Sequence, residues 1–148
     1  MKTKRLIKLL ALISCMAMIF YFSSRVDIES DKQSNGLMIF LYNFYKLFGK
    51  LSLQDFLDAY GFYVRKLAHF SEFALLGLLA YLNIEEYYQD NNFILSLILC
   101  FTYATSDEIH QLFVPGRACS FKDILIDTCG SLFMIIICHL LKKRWKED

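Results

Sequence analysis

Hydrophobic residues gather along this chain in four runs: Leu6–Phe22, Leu67–Leu82, Phe93–Ser106 and Ile124–Leu141. An untilted membrane span takes about 20 apolar residues, so each run is slightly short. Asn91, Asn92 and Asp107 flank the shortest run, the third, and extend its helix toward the headgroup zone. The pattern predicts an all-α, polytopic membrane helix bundle with about four transmembrane helices, in one domain spanning residues 1–148.

The segment between the first two runs is patterned differently. Residues 23–36 are polar and read as loop. LMIFLYNFYKLFGKL, Leu37 to Leu51, is rich in aromatic residues. Further on, Leu53, Phe56, Leu57 and Tyr60 recur at helical spacing. One or two interfacial helices are expected here, lying on the outer membrane surface. A re-entrant hairpin is the alternative for residues 37–62.

Composition strengthens the membrane reading. Hydrophobic residues make up 56% of the chain and charged residues 21%. Soluble globular domains average about 45–50% apolar residues. A net charge of +1 argues against a nucleic-acid partner. The positive charges concentrate at the ends: Lys2, Lys4, Arg5 and Lys8, then Lys142, Lys143, Arg144 and Lys146. Lysine and arginine beside spans favour the cytoplasmic side, and two cytoplasmic termini require an even span count, which four satisfies. The expected location is the bacterial cell membrane, multi-pass, with both termini cytoplasmic. Arg65 and Lys66 then fall outside, against the same rule. The basic start of the first run fits a signal peptide, but no A-x-A cleavage site follows, and a retained span is the stronger reading. The five cysteines form no CxxC, which speaks against a disulfide framework or zinc ribbon.

The topology gathers polar chemistry on one membrane side. His69 and Glu72 open the second run and share a helix face. Asp107, Glu108, His110 and Gln111 close the third. Asp123 and Asp127, four apart, open the fourth. An ionisable group in a span costs about 2.5–3.5 kcal/mol on insertion scales, so such groups are functional candidates by default. The blander reading is a structural network, with Arg117 bridging Asp127 or Glu108 and His69 bonded to Asp107. Asp123 has a second explanation, since a helix N-terminus favours a carboxylate. In VPGR, Val114 to Arg117, the Pro-Gly turn stops the third helix and swings Arg117 back over the cluster. His, Glu and Asp are zinc-capable, but HFSE and DEIH are not the H-E-x-x-H pattern, and the metal and any cofactor stay open. Glu108 and His110, two apart, point to nearly opposite faces. Ala74, Gly77 and Ala80, with Gly130 and Ser131, are small residues that permit close helix packing. His139 reads as an interfacial residue.

RKLAHFSEFALLG, DEIHQLFVPGR and FKDILIDTCG, in that order, resemble the VanZ-like family of bacterial membrane proteins. The best-known member is associated with low-level resistance to teicoplanin, a glycopeptide that binds cell-wall precursors. The resemblance implies a multi-pass membrane protein and supplies no reaction. It carries over Lys66, His69, Glu72, Asp107, Glu108, His110, Gln111, Pro115, Gly116, Arg117, Asp123, Asp127 and Gly130. Members often have a further glycine four residues after the last of these; here Met134 stands there, which weakens the expectation of a tight glycine seam.

Two classes of function compete. In a binding site, Lys66 and Arg117 hold an anionic group, while Gln111, Asp123 and Asp127 meet amines or hydroxyls. The ligand is then a cell-wall precursor, another envelope component or the glycopeptide. In a hydrolase or transferase, His69 or His110 is general base, oriented by Glu72 or Asp107, with Arg117 stabilising negative charge and Glu108 counted among the catalytic candidates. A scaffold for another membrane protein, or a homo-oligomer, is the third possibility. The lipid bilayer is a partner in every case.

Overall fold

The computed structural model describes residues 2–24, 36, 38–88 and 90–147; most of the polar stretch read as loop between residues 23 and 36 lies outside them. Among the described residues the regular structure is helical: α1 (Lys2–Ser23), a short α2 (residues 38–45), α3 (Leu53–Ile84), α4 (Asn92–Gln111) and α5 (Phe121–Glu147). Each of the four apolar runs lies inside α1, α3, α4 or α5. Three of these helices, α1, α3 and α5, are long and apolar enough to cross a membrane. The 20 residues of α4 end in the polar DEIHQ and fall outside that set.

The stretch from Leu53 onward is not a separate interfacial helix. It runs without a break into the second apolar run, making α3 32 residues long. The cause is local. Ser52 caps the start, its Oγ accepting from Asp55 N at 3.2 Å, and no proline follows before α4 ends. Aromatic residues of α2 and α3 pack together, with Phe56 buried 4.9 Å from the Tyr45 ring and 4.8 Å from the Tyr60 ring.

The contacts fix the relative directions of the helices. α3 and α5 are parallel and keep one register over their shared length. Lys66 meets Asp123, Ser131 Oγ donates to Phe73 O at 2.9 Å, Tyr81 Oη lies 3.3 Å from His139 Nδ1, and Lys142 pairs with Glu85 at 2.7 Å. α1 is antiparallel to α3: Arg5 and Lys8 pair with Glu86, and Asn83 Nδ2 donates to Lys8 O at 3.0 Å. The bonded Lys8 ammonium holds the Glu86 carboxyl below its usual range. α4 runs beside α1 in the same direction, with Tyr103 Oη donating to Met16 O at 2.5 Å near its middle and Ser23 meeting Asp107 at its end. The start of α1 and the end of α5, which carry the basic clusters, therefore share one end of the bundle. The start of α3, the end of α4 and the start of α5 share the other.

The α3–α5 interface brings the two backbones into contact. A Cβ on Gly77 would lie 2.5 Å from the Ser131 carbonyl oxygen, and one on Gly130 would overlap the Phe70 carbonyl. The seam that Met134 made doubtful is therefore present, built from Gly77, Gly130 and Ser131. Phe73, Leu76, Ala80, Tyr81 and Ile135 are buried along and beside it. The outward faces remain apolar, with Leu10, Phe20, Ile98, Phe101, Phe133 and Ile136 all exposed.

Gly130 and Gly61 should respond oppositely to alanine. Gly130→Ala forces two backbones apart and should cost roughly 1–3 kcal/mol, as overpacking does. Gly61 lies within α3, and a Cβ added there would meet nothing within 4 Å. Gly61→Ala should therefore gain about 0.5–1 kcal/mol of helix propensity. Thermal unfolding of the detergent-purified variants measures both signs.

Candidate functional site

The end of the bundle opposite the basic clusters holds a cavity of about 170 Å³. One face of α3 supplies Phe62, Arg65, Lys66 and His69, the i, i+3, i+4, i+7 pattern of a single helical face. The last turn of α4 supplies Glu108 and Gln111. The connection to α5 supplies Gly116, Arg117 and Ala118, and the first two turns of α5 supply Asp123 and Asp127.

The connection is shaped by its sequence. Arg117 N bonds to Val114 O at 3.1 Å, closing a turn over Pro115 and Gly116. Gly116 takes φ 83°, a left-handed conformation that glycine adopts without strain. Glu108 braces the return: its carboxylate accepts the Ser120 amide at 2.8 Å, just before α5 begins. The turn thus brings Arg117 back over the cavity, as expected of VPGR.

Some of the charges are matched within the protein. Lys66 Nζ lies 2.5 Å from Asp123 Oδ1 and 5.4 Å from the Phe62 ring centre. Others are not. Arg117 Nε, His69 Nδ1 and Asp127 Oδ2 are buried and make no hydrogen bond in the protein. The bridges from Arg117 to Asp127 or Glu108, and the bond from His69 to Asp107, expected of a purely structural network, do not form. The Pro-Gly turn places Arg117 over the cavity, while Asp107 faces α1 on another side of α4.

That other side is a second polar cluster. Asp107 is buried, accepting from Ser23 Oγ at 2.7 Å and Gln111 Nε2 at 3.0 Å. His110 Nε2 lies 3.1 Å from Ser24 Oγ, and its ring sits 4.2 Å from Phe20. The candidate residues therefore separate. Lys66, His69, Glu108, Gln111, Arg117, Asp123 and Asp127 meet at the cavity, whereas His110 and Asp107 Oδ2 meet the end of α1, with Asp107 Oδ1 buried and unmatched. Glu72, one turn along α3 from His69, is half-buried and outside the cavity lining. Glu108 and His110 do point to different faces of α4, as their spacing requires. The sequence reading missed Ser23 and Ser24. The signal was available: two serines end an apolar run, where each can bond to a neighbouring helix. Arg65 and Phe62 were also missed as cavity residues, although both sit on the face of Lys66 and His69.

Among the described residues, no group of three His, Cys, Asp or Glu is close enough to hold a metal ion. His139 contacts Tyr81 and the Phe93 ring rather than a charged cluster. The five cysteines are all free.

The VanZ/LLP1 family model matches residues 8–142. The chain belongs to the VanZ/LLP1 family. The match includes every cavity residue and both serines at the end of α1. No curated protein and no solved structure matches the chain. With three helices apolar and long enough to span, this family member is a membrane protein.

The two clusters should be separable by mutation. Ser23→Ala leaves a buried Asp107 carboxylate short of a donor, which costs roughly 1–3 kcal/mol. Thermal unfolding should register that loss, while Arg117→Ala, on the connecting turn, should leave stability within about 0.5 kcal/mol.

Proposed function

We propose that this VanZ-family member is a multi-pass protein of the bacterial cell membrane, with both termini cytoplasmic. The cavity then opens on the extracytoplasmic side and binds an anionic group of an envelope component. The observation that carries this reading is Arg117, held over the cavity by a tight turn with its buried Nε unmatched. A guanidinium placed this way is suited to an anionic oxygen. Lys66 is already paired with Asp123 and so shapes the wall rather than leading recognition.

The orientation rests on charge. Lys4, Arg5 and Lys8 share a bundle end with Lys142, Lys143 and Arg144, opposite the cavity, and the positive-inside rule puts that end in the cytoplasm. Size narrows the ligand. Drug-sized molecules occupy pockets of about 300–1,000 Å³, and 170 Å³ holds a head group rather than an enclosed glycopeptide. A role in teicoplanin susceptibility therefore runs through the envelope component, not through enclosure of the antibiotic. The rival enzyme reading keeps one imidazole, since His110 faces α1 and His69 alone lines the cavity.

Two measurements test this. A membrane-impermeant maleimide applied to intact cells should label Cys119, which is exposed beside the cavity, and Cys119→Ser should abolish that labelling; labelling that requires broken cells reverses the topology. In a susceptible Gram-positive host, the wild type should raise the inhibitory teicoplanin concentration. Arg117→Ala at matched membrane level should lose the effect, since a hydrogen bond to a charged group is worth about 1.5–3 kcal/mol. His69→Gln keeps an N–H donor but cannot take a proton, so in a binding site it should retain part of the effect; complete loss in a variant that unfolds like the wild type favours acid–base catalysis.

A further inference from the structure

The cavity has a chemistry more specific than a general preference for anions. Its unmatched buried atoms are of both kinds: Arg117 Nε and His69 Nδ1 on one hand, Asp127 Oδ2 on the other. Asp127 is 1% exposed, so its free oxygen has no route to bulk water that avoids the cavity. A buried polar atom without a partner is costly, and three around one small cavity call for a ligand that satisfies all three. Such a ligand carries acceptors for Arg117 and for His69 in its Nδ1–H form, and a donor for Asp127.

Two features narrow this further. The donors come from different elements, α3 and the α4–α5 turn. A planar carboxylate is best met by two nitrogens of a single guanidinium, whereas donors converging from separate directions suit the oxygens of a tetrahedral phosphate. The cavity also has an apolar side. Phe62 lines it and is exposed, and the outward faces of the bundle, with Phe101 and Phe133 among them, are apolar as well. Unmatched polar atoms beside an exposed phenylalanine, in a bundle with apolar outer faces, match an amphiphile better than a soluble anion.

We propose that the cavity takes the head group of a membrane phosphodiester lipid bearing a hydroxyl or ammonium donor. Arg117 and His69 donate to the phosphate oxygens, and Asp127 Oδ2 accepts from the head-group donor. Phe62 and the apolar outer face of the bundle meet the start of the acyl region. This assignment rests on the anion-binding reading above and adds the class of ligand to it.

The test uses the full chain, reconstituted in nanodiscs and then released for native mass spectrometry, to count retained lipid. Phosphatidylglycerol supplies hydroxyl donors and phosphatidylethanolamine an ammonium donor; phosphatidylcholine supplies neither. Oleate stands for a carboxylate amphiphile and glycerol phosphate for a soluble phosphate. Wild type should retain phosphatidylglycerol and phosphatidylethanolamine over phosphatidylcholine and oleate. Arg117→Ala should lower that retention about tenfold or more, as losing a charge-assisted bond does. Arg117→Lys, which keeps the charge without Nε, should recover only part of it. Asp127→Asn should narrow the gap between the donor-bearing lipids and phosphatidylcholine.

Arg117-dependent binding of oleate or glycerol phosphate without the diacyl lipids overturns the lipid assignment and leaves anion binding standing. Equal, Arg117-dependent retention of all three phospholipids overturns the role of Asp127. Retention unchanged by Arg117→Ala in a variant that unfolds like the wild type overturns both readings.

Discussion

The backbones of α3 and α5 touch where Gly77 meets Ser131 and Gly130 meets Phe70. Side chains of ordinary size would hold two helices about 8–10 Å apart; glycine lets them close further, and a hydroxyl bond from Ser131 to Phe73 O spans the gap. The site depends on this contact. It brings Lys66 to Asp123 and holds the first turns of α5 against the face of α3 that carries His69. A looser pair would separate the cavity walls and let water between their charges. The polar site exists because small residues one and two turns away permit it.

The end of α4 has the complementary task. Its final turns carry polar groups around most of the helix, so they cannot serve one site. Glu108 goes to the cavity and the α5 start, while Asp107 and His110 go to the serines closing α1. This division explains why so much polar chemistry surrounds the only proline in the chain. One part of it lines the cavity, and another replaces the water that the end of α1 loses on packing.

Much of this architecture was legible in the sequence. Apolar runs locate helix interiors because only a helix satisfies its backbone within a bilayer, and all four runs fall within helices. The Pro-Gly turn specified where α4 ends and where Arg117 returns. Other features were not legible. Leu53 to Lys66 has surface-helix periodicity, yet nothing in it ends a helix before Leu67, so it fused with the next element. Pairing among charged residues depends on which faces of α4 meet α1 and α5, and linear spacing does not determine that. Ser23 and Ser24 are marked in the sequence only as polar residues ending an apolar run; which helix they bond to is not, since their partners lie more than 80 residues away.

Gln111 belongs to both polar clusters. Its amide donates to Asp107 and reaches Ser23 at 3.5 Å, while its side chain lines the cavity. The C-terminal end of α1 and the wall of the cavity therefore share one side chain. Linkage makes that relation mutual: an occupant that turns Gln111 loosens or tightens α1 by the same free energy with which the seating of α1 alters the occupant's hold.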